Sequence, residues 1–63
     1  MSNYQLNDWT VNKIASGEKL TKNDMAWELG RHTTTQHYDI YQSQYKINEI
    51  RLAFNKNFNT DIQ

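Results

Sequence analysis

The sequence contains no cysteine and no proline, and only two of its 63 residues are glycine. Without cysteine the chain has no disulfide, no thiolate ligand for a metal and no cysteine nucleophile. No apolar run approaches the roughly 20 residues that span a bilayer, and the first residues lack the basic and apolar regions of a signal peptide. These absences predict a soluble, cytoplasmic protein.

An excess of charge of either sign is also missing, because seven Lys and Arg residues balance seven Asp and Glu residues. Most of the affinity of a protein for DNA comes from neutralising phosphates, so a monomer of this chain is expected to bind DNA weakly. A dimer doubles the number of cations and presents two copies of the domain, one to each half of a symmetric DNA site. Because the monomer has no net positive charge, we expect a DNA-binding role for this chain to require dimerisation.

The spacing of apolar residues predicts an all-α domain over residues 1–55, followed by a frayed tail over residues 56–63. The first helix is expected over about residues 7–16, with Val11, Ile14 and Ala15 facing inward. Gly17 follows it at the position where a residue of positive φ often ends a helix. The fold predicted is a small three-helix bundle, with four helices if the last one breaks.

The second helix has the clearest start signal. Thr21 and Asp24 resemble a capping box, and Leu20 and Met25 occupy the positions of a hydrophobic staple. Gly30 is expected to end this helix. Its inward-facing residues are predicted to be Met25, Ala26 and Leu29.

No glycine or proline interrupts residues 33–55, which predicts one long C-terminal helix that Thr33 and Gln36 would cap. Its apolar residues fall on two opposite faces at helical spacing. One face carries Tyr38, Tyr41, Tyr45 and Leu52, and the other carries Ile40, Ile47, Ile50, Phe54 and Phe58.

A helix that is apolar on two faces has to be buried on both. Either it breaks near Gln42 to Gln44 and both halves pack on one core, or it continues unbroken and one face contacts a second subunit. We expect the unbroken helix in a homodimer, because so small a domain buries only about 60% of its unfolded surface alone. The predicted dimer or partner interface comprises Trp27, Ile40, Ile47, Ile50 and Phe54.

Several short motifs have the order found in one class of DNA-binding domain. They are Trp9-Thr10, Met25-Ala26, Leu29-Gly30-Arg31 and Thr33-Thr34-Thr35-Gln36. In this order they resemble the tri-helical helix-turn-helix domains of the Myb/SANT-like type that occur in small phage and mobile-element proteins. The resemblance covers about residues 9–45 and departs from the pattern at His32, which is inserted before Thr33.

The resemblance implies a recognition helix that begins at Thr33 and lies against double-stranded DNA. Lys22 and Arg31 would hold phosphates, and Gln36 would pair with an adenine edge. The full set of DNA-binding residues that it implies is Lys22, Arg31, His32, Thr34, Thr35, Gln36 and His37. The same residues also allow a plainer interpretation, in which Thr33 and Gln36 only cap a helix and Arg31 is a solvated turn residue.

The two tryptophans support a second interpretation. Trp27 points away from the Met25 and Leu29 face of its helix, and Trp9 lies off the apolar stripe of the first helix. Each could cover an edge of a thin core, or could anchor another protein, since Trp and Tyr dominate interface hot spots.

The sequence predicts no enzyme. His32 and His37 are too far apart for adjacent ligands on one helix face, and no acid–base pair, P-loop or nucleophile motif is present. We therefore expect no cofactor, no metal, no membrane contact and no small-molecule substrate. The leading hypothesis is a homodimeric DNA-binding regulator of a phage or mobile element. The alternative is a phage-encoded inhibitor, such as one of the anti-CRISPR type, that binds a host enzyme or defence complex.

Overall fold

The computed structural model describes residues 5–32 and 37–63, and these residues form four α-helices and no strand. The helices are α1 (Asp8–Ala15), α2 (Lys22–Arg31), α3 (Tyr38–Gln44) and α4 (Ile47–Phe58). The predicted all-α class is therefore confirmed. None of the helices in the described part of the chain is long and apolar enough to cross a membrane.

α1 begins and ends as its sequence predicts, but it buries a different face. The side chain of Asn7 accepts hydrogen bonds from the backbone N–H groups of the first turn, and Gly17 has a φ of 82°. Thr10 is buried, Ile14 packs against the core, and Val11 is exposed. The inward face is thus rotated from the predicted one, because Thr10 is bonded to a buried carboxylate of α2.

The capping box at the start of α2 is confirmed. The hydroxyl of Thr21 accepts from the backbone N–H of Asp24, and the carboxylate of Asp24 accepts from that of Thr21. Leu20 and Met25 are both buried, as a hydrophobic staple requires.

The prediction that Gly30 ends α2 is wrong, because the helix continues to Arg31. Gly30 is needed for a different reason, namely the close approach of α3. A Cβ atom at this position would lie 2.9 Å from the backbone nitrogen of Tyr38 and 3.2 Å from its Cα. The small residue therefore allows the backbone of α2 to contact the start of α3.

The core lies between α2 and the later helices. Its buried residues are Leu20, Met25, Ala26, Leu29, Ile50 and Phe54. Partly buried side chains around them extend the core, among them Ile14 from α1, Tyr38 and Tyr41 from α3, and Phe58 from α4. The inward positions predicted for the second helix, Met25, Ala26 and Leu29, are confirmed.

The prediction of one unbroken C-terminal helix is wrong. The chain leaves the helical conformation at Tyr45 (φ −112°, ψ 139°) and at Lys46 (φ −77°, ψ 163°). The backbone N–H of Lys46 then donates to the carboxylate of Glu49 at 3.0 Å, which supports the start of α4.

The break explains the two apolar faces. α3 packs Tyr38 and Tyr41 on the core, whereas α4 packs Ile50 and Phe54 on the same core. This arrangement is the alternative that the sequence left open, with the break just beyond the expected position.

The break also corrects the predicted interface. Ile50 is 1% exposed and Phe54 is 0% exposed, so the chain's own core already covers both side chains. Ile40 and Ile47 do remain exposed, at 39% and 41%. The continuous seam predicted along one long helix is therefore absent from the described surface.

The end of the chain is attached to α4, which extends to Phe58. Asn59 adopts the left-handed conformation (φ 55°) and turns the chain back toward the core. The amide of Asn55 donates to the carbonyl of Ile62 at 3.0 Å and accepts from its N–H at 2.9 Å. Ile62 packs against the core as a result.

Candidate functional site

A buried carboxylate lies on α2, where Glu28 is 0% exposed. Its Oε1 accepts from the hydroxyl of Thr10 at 2.6 Å and from the side-chain amide of Asn7. Its Oε2 accepts from the backbone N–H of Asn7 at 3.2 Å and from Nη1 of Arg31 at 3.1 Å. Nε2 of His32 lies 3.2 Å from the same oxygen. A buried carboxylate is costly unless it is paired and hydrogen-bonded, and Glu28 satisfies both conditions.

The Glu28 contacts join the start of α1 to the end of α2. They also fix Arg31. Its side chain remains 39% exposed, although its Nη1 is bonded to the buried carboxylate of Glu28. The guanidinium carbon of Arg31 lies 5.6 Å from the ring centroid of Trp27, which is within the range of a cation–π contact. Arg31 is therefore held between a buried anion and an exposed indole.

A shallow depression beside this pair has a volume of about 190 Å³ and is lined by Trp27, Gly30, Arg31 and Tyr38. We call it the Trp27 cleft. Trp27 is 47% exposed and lies on the face of α2 that turns away from the core. Gly30 contributes backbone without a side chain, so the close packing of α2 on Tyr38 also shapes the cleft.

Polar contacts hold the Tyr38 wall of the cleft in place. The hydroxyl of Tyr38 donates to Oδ1 of Asn23, which also accepts from the amide of Gln42. The same amide of Gln42 lies 2.9 Å from the Tyr38 hydroxyl. These bonds join α2 to α3 beside the cleft.

The other tryptophan lies on α1. Trp9 is 53% exposed, and the ammonium group of Lys13 lies 4.8 Å from its ring centroid. Lys13 also forms an ion pair with Asp24 at 2.8 Å. Burial acts to raise the pKa of Asp24, but the hydrogen bonds with Lys13 and Thr21 outweigh it and hold that pKa below its ordinary value of 3.8.

Of the predicted DNA contacts that the structure describes, Arg31 and His32 are bonded to each other, whereas Lys22 lies at the other end of α2. Lys22 begins α2 and Arg31 ends it, so they are about 14 Å apart along the helix axis at 1.5 Å per residue. His32 packs its ring against Phe58 with a centroid distance of 5.0 Å, and the ring of His37 lies 6.4 Å from that of Tyr41. The remaining predicted contacts, together with the helix start at Thr33, lie outside the described residues; they are Thr34, Thr35 and Gln36.

Acidic side chains accompany two of the seven cations. Arg31 is paired with Glu28, and Lys13 is paired with Asp24. Both pairs reduce the positive charge that the chain presents to a phosphate backbone. In residues 5–32 and 37–63, no three His, Asp or Glu side chains are grouped as a metal site would require.

Sequence reasoning did not identify Glu28, the best-connected polar residue among those described. The signal was present, since Glu28 directly precedes Leu29 on a helix whose inward face was already predicted. A carboxylate at the edge of an inward-facing surface is costly unless it is hydrogen-bonded. The donors here are Asn7, Thr10 and Arg31.

Comparison with known proteins identifies no relative of this chain. No family model, no curated protein and no solved structure matches it significantly.

Proposed function

We propose that the chain is a small protein-binding module whose contact surface is centred on the Trp27 cleft. The observation that carries this proposal is the meeting of Trp27, Arg31 and Tyr38 around one depression. Trp, Tyr and Arg are the residue types most enriched at the energetic centres of protein interfaces. Their convergence on a single face favours recognition of another protein.

The position of Trp27 supports the same conclusion. Met25 and Leu29, which pack in the core, lie on the opposite side of the helix from Trp27, so the core does not require an indole at this position. The surrounding contacts also hold the cleft in one arrangement, because Glu28 fixes Arg31 and Asn23 fixes Tyr38. A preorganised surface loses less side-chain entropy when a partner binds.

The charge balance favours a protein partner over a nucleic acid. The net charge is zero, and two of the cations form internal ion pairs. In this proposal the chain acts as an inhibitor of a host enzyme or defence complex, and covering part of a larger protein is its mechanism. Its exposed acidic side chains would complement a basic rim on that partner.

The experiment is capture of partners from a host lysate on the immobilised full-length chain, followed by stoichiometric reconstitution with each purified candidate. We expect Trp27→Ala to weaken the reconstituted complex by about 2 kcal/mol or more, the cost typical of a hot spot. Trp9→Ala is the matched control, because Trp9 is equally exposed but lies outside the cleft. A reconstituted complex that survives Trp27→Ala unchanged would contradict the proposal.

DNA binding by a homodimer is the second candidate, and one packing feature favours it. Ala26 is fully buried, and Gly30 allows the backbones of α2 and α3 to meet. Small residues at these two positions have the role that the helix-turn-helix resemblance implies for them. In this candidate Arg31 and Lys22 contact phosphates, Thr34 and Thr35 contact phosphate or a thymine methyl, and Gln36 pairs with an adenine edge.

Titration of labelled AT-rich duplexes at low salt tests this candidate. Binding should weaken linearly in log salt concentration, and Arg31→Ala together with Gln36→Ala should abolish it without loss of helicity. Sedimentation at high protein concentration tests the dimer on which it depends. A monomer that binds no duplex at low salt would eliminate DNA binding and leave the protein-binding proposal intact.

A further inference from the structure

We propose that the Trp27 cleft recognises an acidic segment of its partner, with a carboxylate of that segment bound by Arg31 and a neighbouring apolar side chain seated between Trp27 and Tyr38. This inference rests on the proposed protein-binding function and specifies the chemistry of the partner. It follows from the donors of Arg31, the size of the cleft and the way in which Glu28 holds the guanidinium.

Arg31 has hydrogen-bond donors that the described residues leave unused. A guanidinium has five N–H groups and accepts no hydrogen bond. Its bonds with the described residues, to Glu28 and to His32, all use Nη1. The edge formed by Nε and Nη2 is bonded to no described residue, and it has the geometry that binds the two oxygens of a carboxylate.

Glu28 also fixes the orientation of Arg31. Glu28 cannot turn toward the solvent together with Arg31, because Asn7 and Thr10 donate hydrogen bonds to its carboxylate oxygens. Arg31 is therefore anchored at one nitrogen and packed against Trp27 on one face. An arginine that is already ordered loses less entropy on binding a carboxylate than a freely rotating one does.

The Trp27 cleft is small. A volume of about 190 Å³ equals roughly six water molecules at about 30 Å³ each. That is below the roughly 300–1,000 Å³ of a typical small-molecule pocket. The cleft therefore suits one side chain of a peptide, and its ring walls from Trp27 and Tyr38 favour an apolar one.

The pairing with Glu28 favours a carboxylate over a phosphodiester. Affinity for a nucleic acid backbone depends on summed positive charge, and Glu28 offsets the charge of Arg31. One bidentate contact can hold a single carboxylate of a peptide, whereas a nucleic acid strand depends on several cations along its backbone. The cleft is therefore better suited to an acidic peptide than to a nucleic acid strand.

The experiment is selection of displayed random heptapeptides on the folded, full-length chain, followed by titration of the enriched peptides by fluorescence anisotropy. We expect enrichment of peptides with Asp or Glu next to a large apolar residue. Replacing that acid by its amide should weaken binding about tenfold or more, in line with a charge-assisted hydrogen bond. The same replacement should have little effect against Arg31→Gln, since the two changes remove the same contact.

Two variants control for folding and for general charge. Arg31→Lys keeps the charge but lacks the paired donors, so it should restore only part of the affinity lost in Arg31→Gln. Lys19→Gln removes a cation from an exposed position outside the cleft and should leave the acidic preference unchanged. Circular dichroism of each variant verifies that the helices remain.

The outcomes separate the inference from the function on which it rests. Enriched peptides without an acid, whose binding Trp27→Ala abolishes, would overturn the carboxylate inference and leave the protein-binding function standing. Binding of a twelve-residue oligothymidylate that competes with the peptides would also overturn it, in favour of a phosphodiester. Selection that returns the same peptides against Trp27→Ala as against the unmodified chain would overturn both.

Discussion

The hydroxyl of Thr10 donates a hydrogen bond to Oε1 of Glu28 at 2.6 Å, and the two residues are 1% and 0% exposed. A polar contact thus occupies the place between α1 and α2 where a small bundle ordinarily packs apolar side chains. Because Asn7 bonds both oxygens of the same carboxylate, the start of α1 is positioned by polar groups. The attachment of α1 to α2 therefore depends in part on Glu28, beside the Lys13–Asp24 ion pair and the packing of Ile14.

Glu28→Ala should destabilise the fold by about 2 kcal/mol or more, the cost expected when buried hydrogen-bond donors lose their acceptor. The variant leaves donors of Asn7, Thr10 and Arg31 without their acceptor. Glu28→Gln should cost less, since an amide retains one accepting oxygen. Urea denaturation followed by circular dichroism measures both losses.

Glu18→Ala is the control for the buried glutamate. Glu18 is exposed and accepts a hydrogen bond only from the hydroxyl of Ser16, at 3.0 Å, among the described residues. Its removal should change the free energy of unfolding by no more than about 0.5 kcal/mol. Equal losses for the two glutamates would mean that the buried network does not stabilise the attachment of α1.

The two glycines should respond differently to substitution. Gly30→Ala places a Cβ 2.9 Å from the backbone of Tyr38 and should cost about 1–3 kcal/mol by overpacking, although alanine is the better helix former. At Gly17 a Cβ would meet no atom within 4 Å, but φ is +82°. Asparagine tolerates the left-handed region, so Gly17→Asn should be milder than Gly17→Ala.

Thermal unfolding of the four glycine variants, with alanine or asparagine at each position, tests this difference. At Gly30 asparagine should be no better than alanine, because any Cβ meets the Tyr38 backbone. A stabilised Gly30→Ala protein would show that α2 and α3 are farther apart than this packing requires.

The parts of the fold that depend on neighbouring residues were predictable from the sequence. The capping box at Thr21, the left-handed Gly17 and the inward Met25 follow from contacts within a few residues along the chain. The helix break at Tyr45 was not predicted, because no glycine or proline marks it. Two apolar faces do not by themselves show whether a helix breaks or a second subunit covers one of them. In this chain the helix breaks, and both halves pack on the same core.

The candidate site was predictable only in part. The outward direction of Trp27 follows from helical periodicity and is confirmed by its 47% exposure. The pairing of Arg31 with Glu28 joins residues one helical turn apart and was also open to inference from sequence. The contribution of Tyr38 to the cleft depends on how α3 crosses α2, which local patterns do not specify.

Asn55 should stabilise the C-terminal segment. Its side chain accepts from the hydroxyl of Thr60 at 2.7 Å and bonds both the N–H and the carbonyl of Ile62. Asn55→Ala should therefore cost roughly 1–2 kcal/mol and raise the hydrogen-exchange rate of the Ile62 amide.

Asn57→Ala is the matched control, since Asn57 is exposed on the same helix and bonds only the carbonyl of Ala53 among the described residues. It should leave the exchange rate of the Ile62 amide unchanged. A segment over residues 59–63 that exchanges fully in the unmodified chain would contradict the anchoring role of Asn55 and favour the frayed tail that the sequence predicts.

The ion pair between Lys13 and Asp24 should make the stability depend on pH in the acid range. Because the pKa of Asp24 in the folded chain lies below 3.8, the unfolded chain binds protons first as the pH falls. The stabilisation from this carboxylate is therefore complete above the ordinary pKa and is lost as the pH falls through the folded value. Asp24→Asn keeps an acceptor for the Thr21 N–H but removes the charge, and at neutral pH it should cost at most about 1 kcal/mol.

Urea denaturation of the unmodified chain and of Asp24→Asn, repeated from neutral pH to about pH 2, measures this dependence. The difference in unfolding free energy should shrink as the pH falls below 3.8 and should level off below the pKa of Asp24 in the folded chain, where both proteins carry a neutral side chain at this position. Asp61→Asn, at an exposed position in the C-terminal segment, serves as the comparison and should track the unmodified chain throughout. A difference that stays constant down to the lowest pH would mean that Asp24 stabilises α2 only as a helix cap, and that its charge and Lys13 contribute nothing.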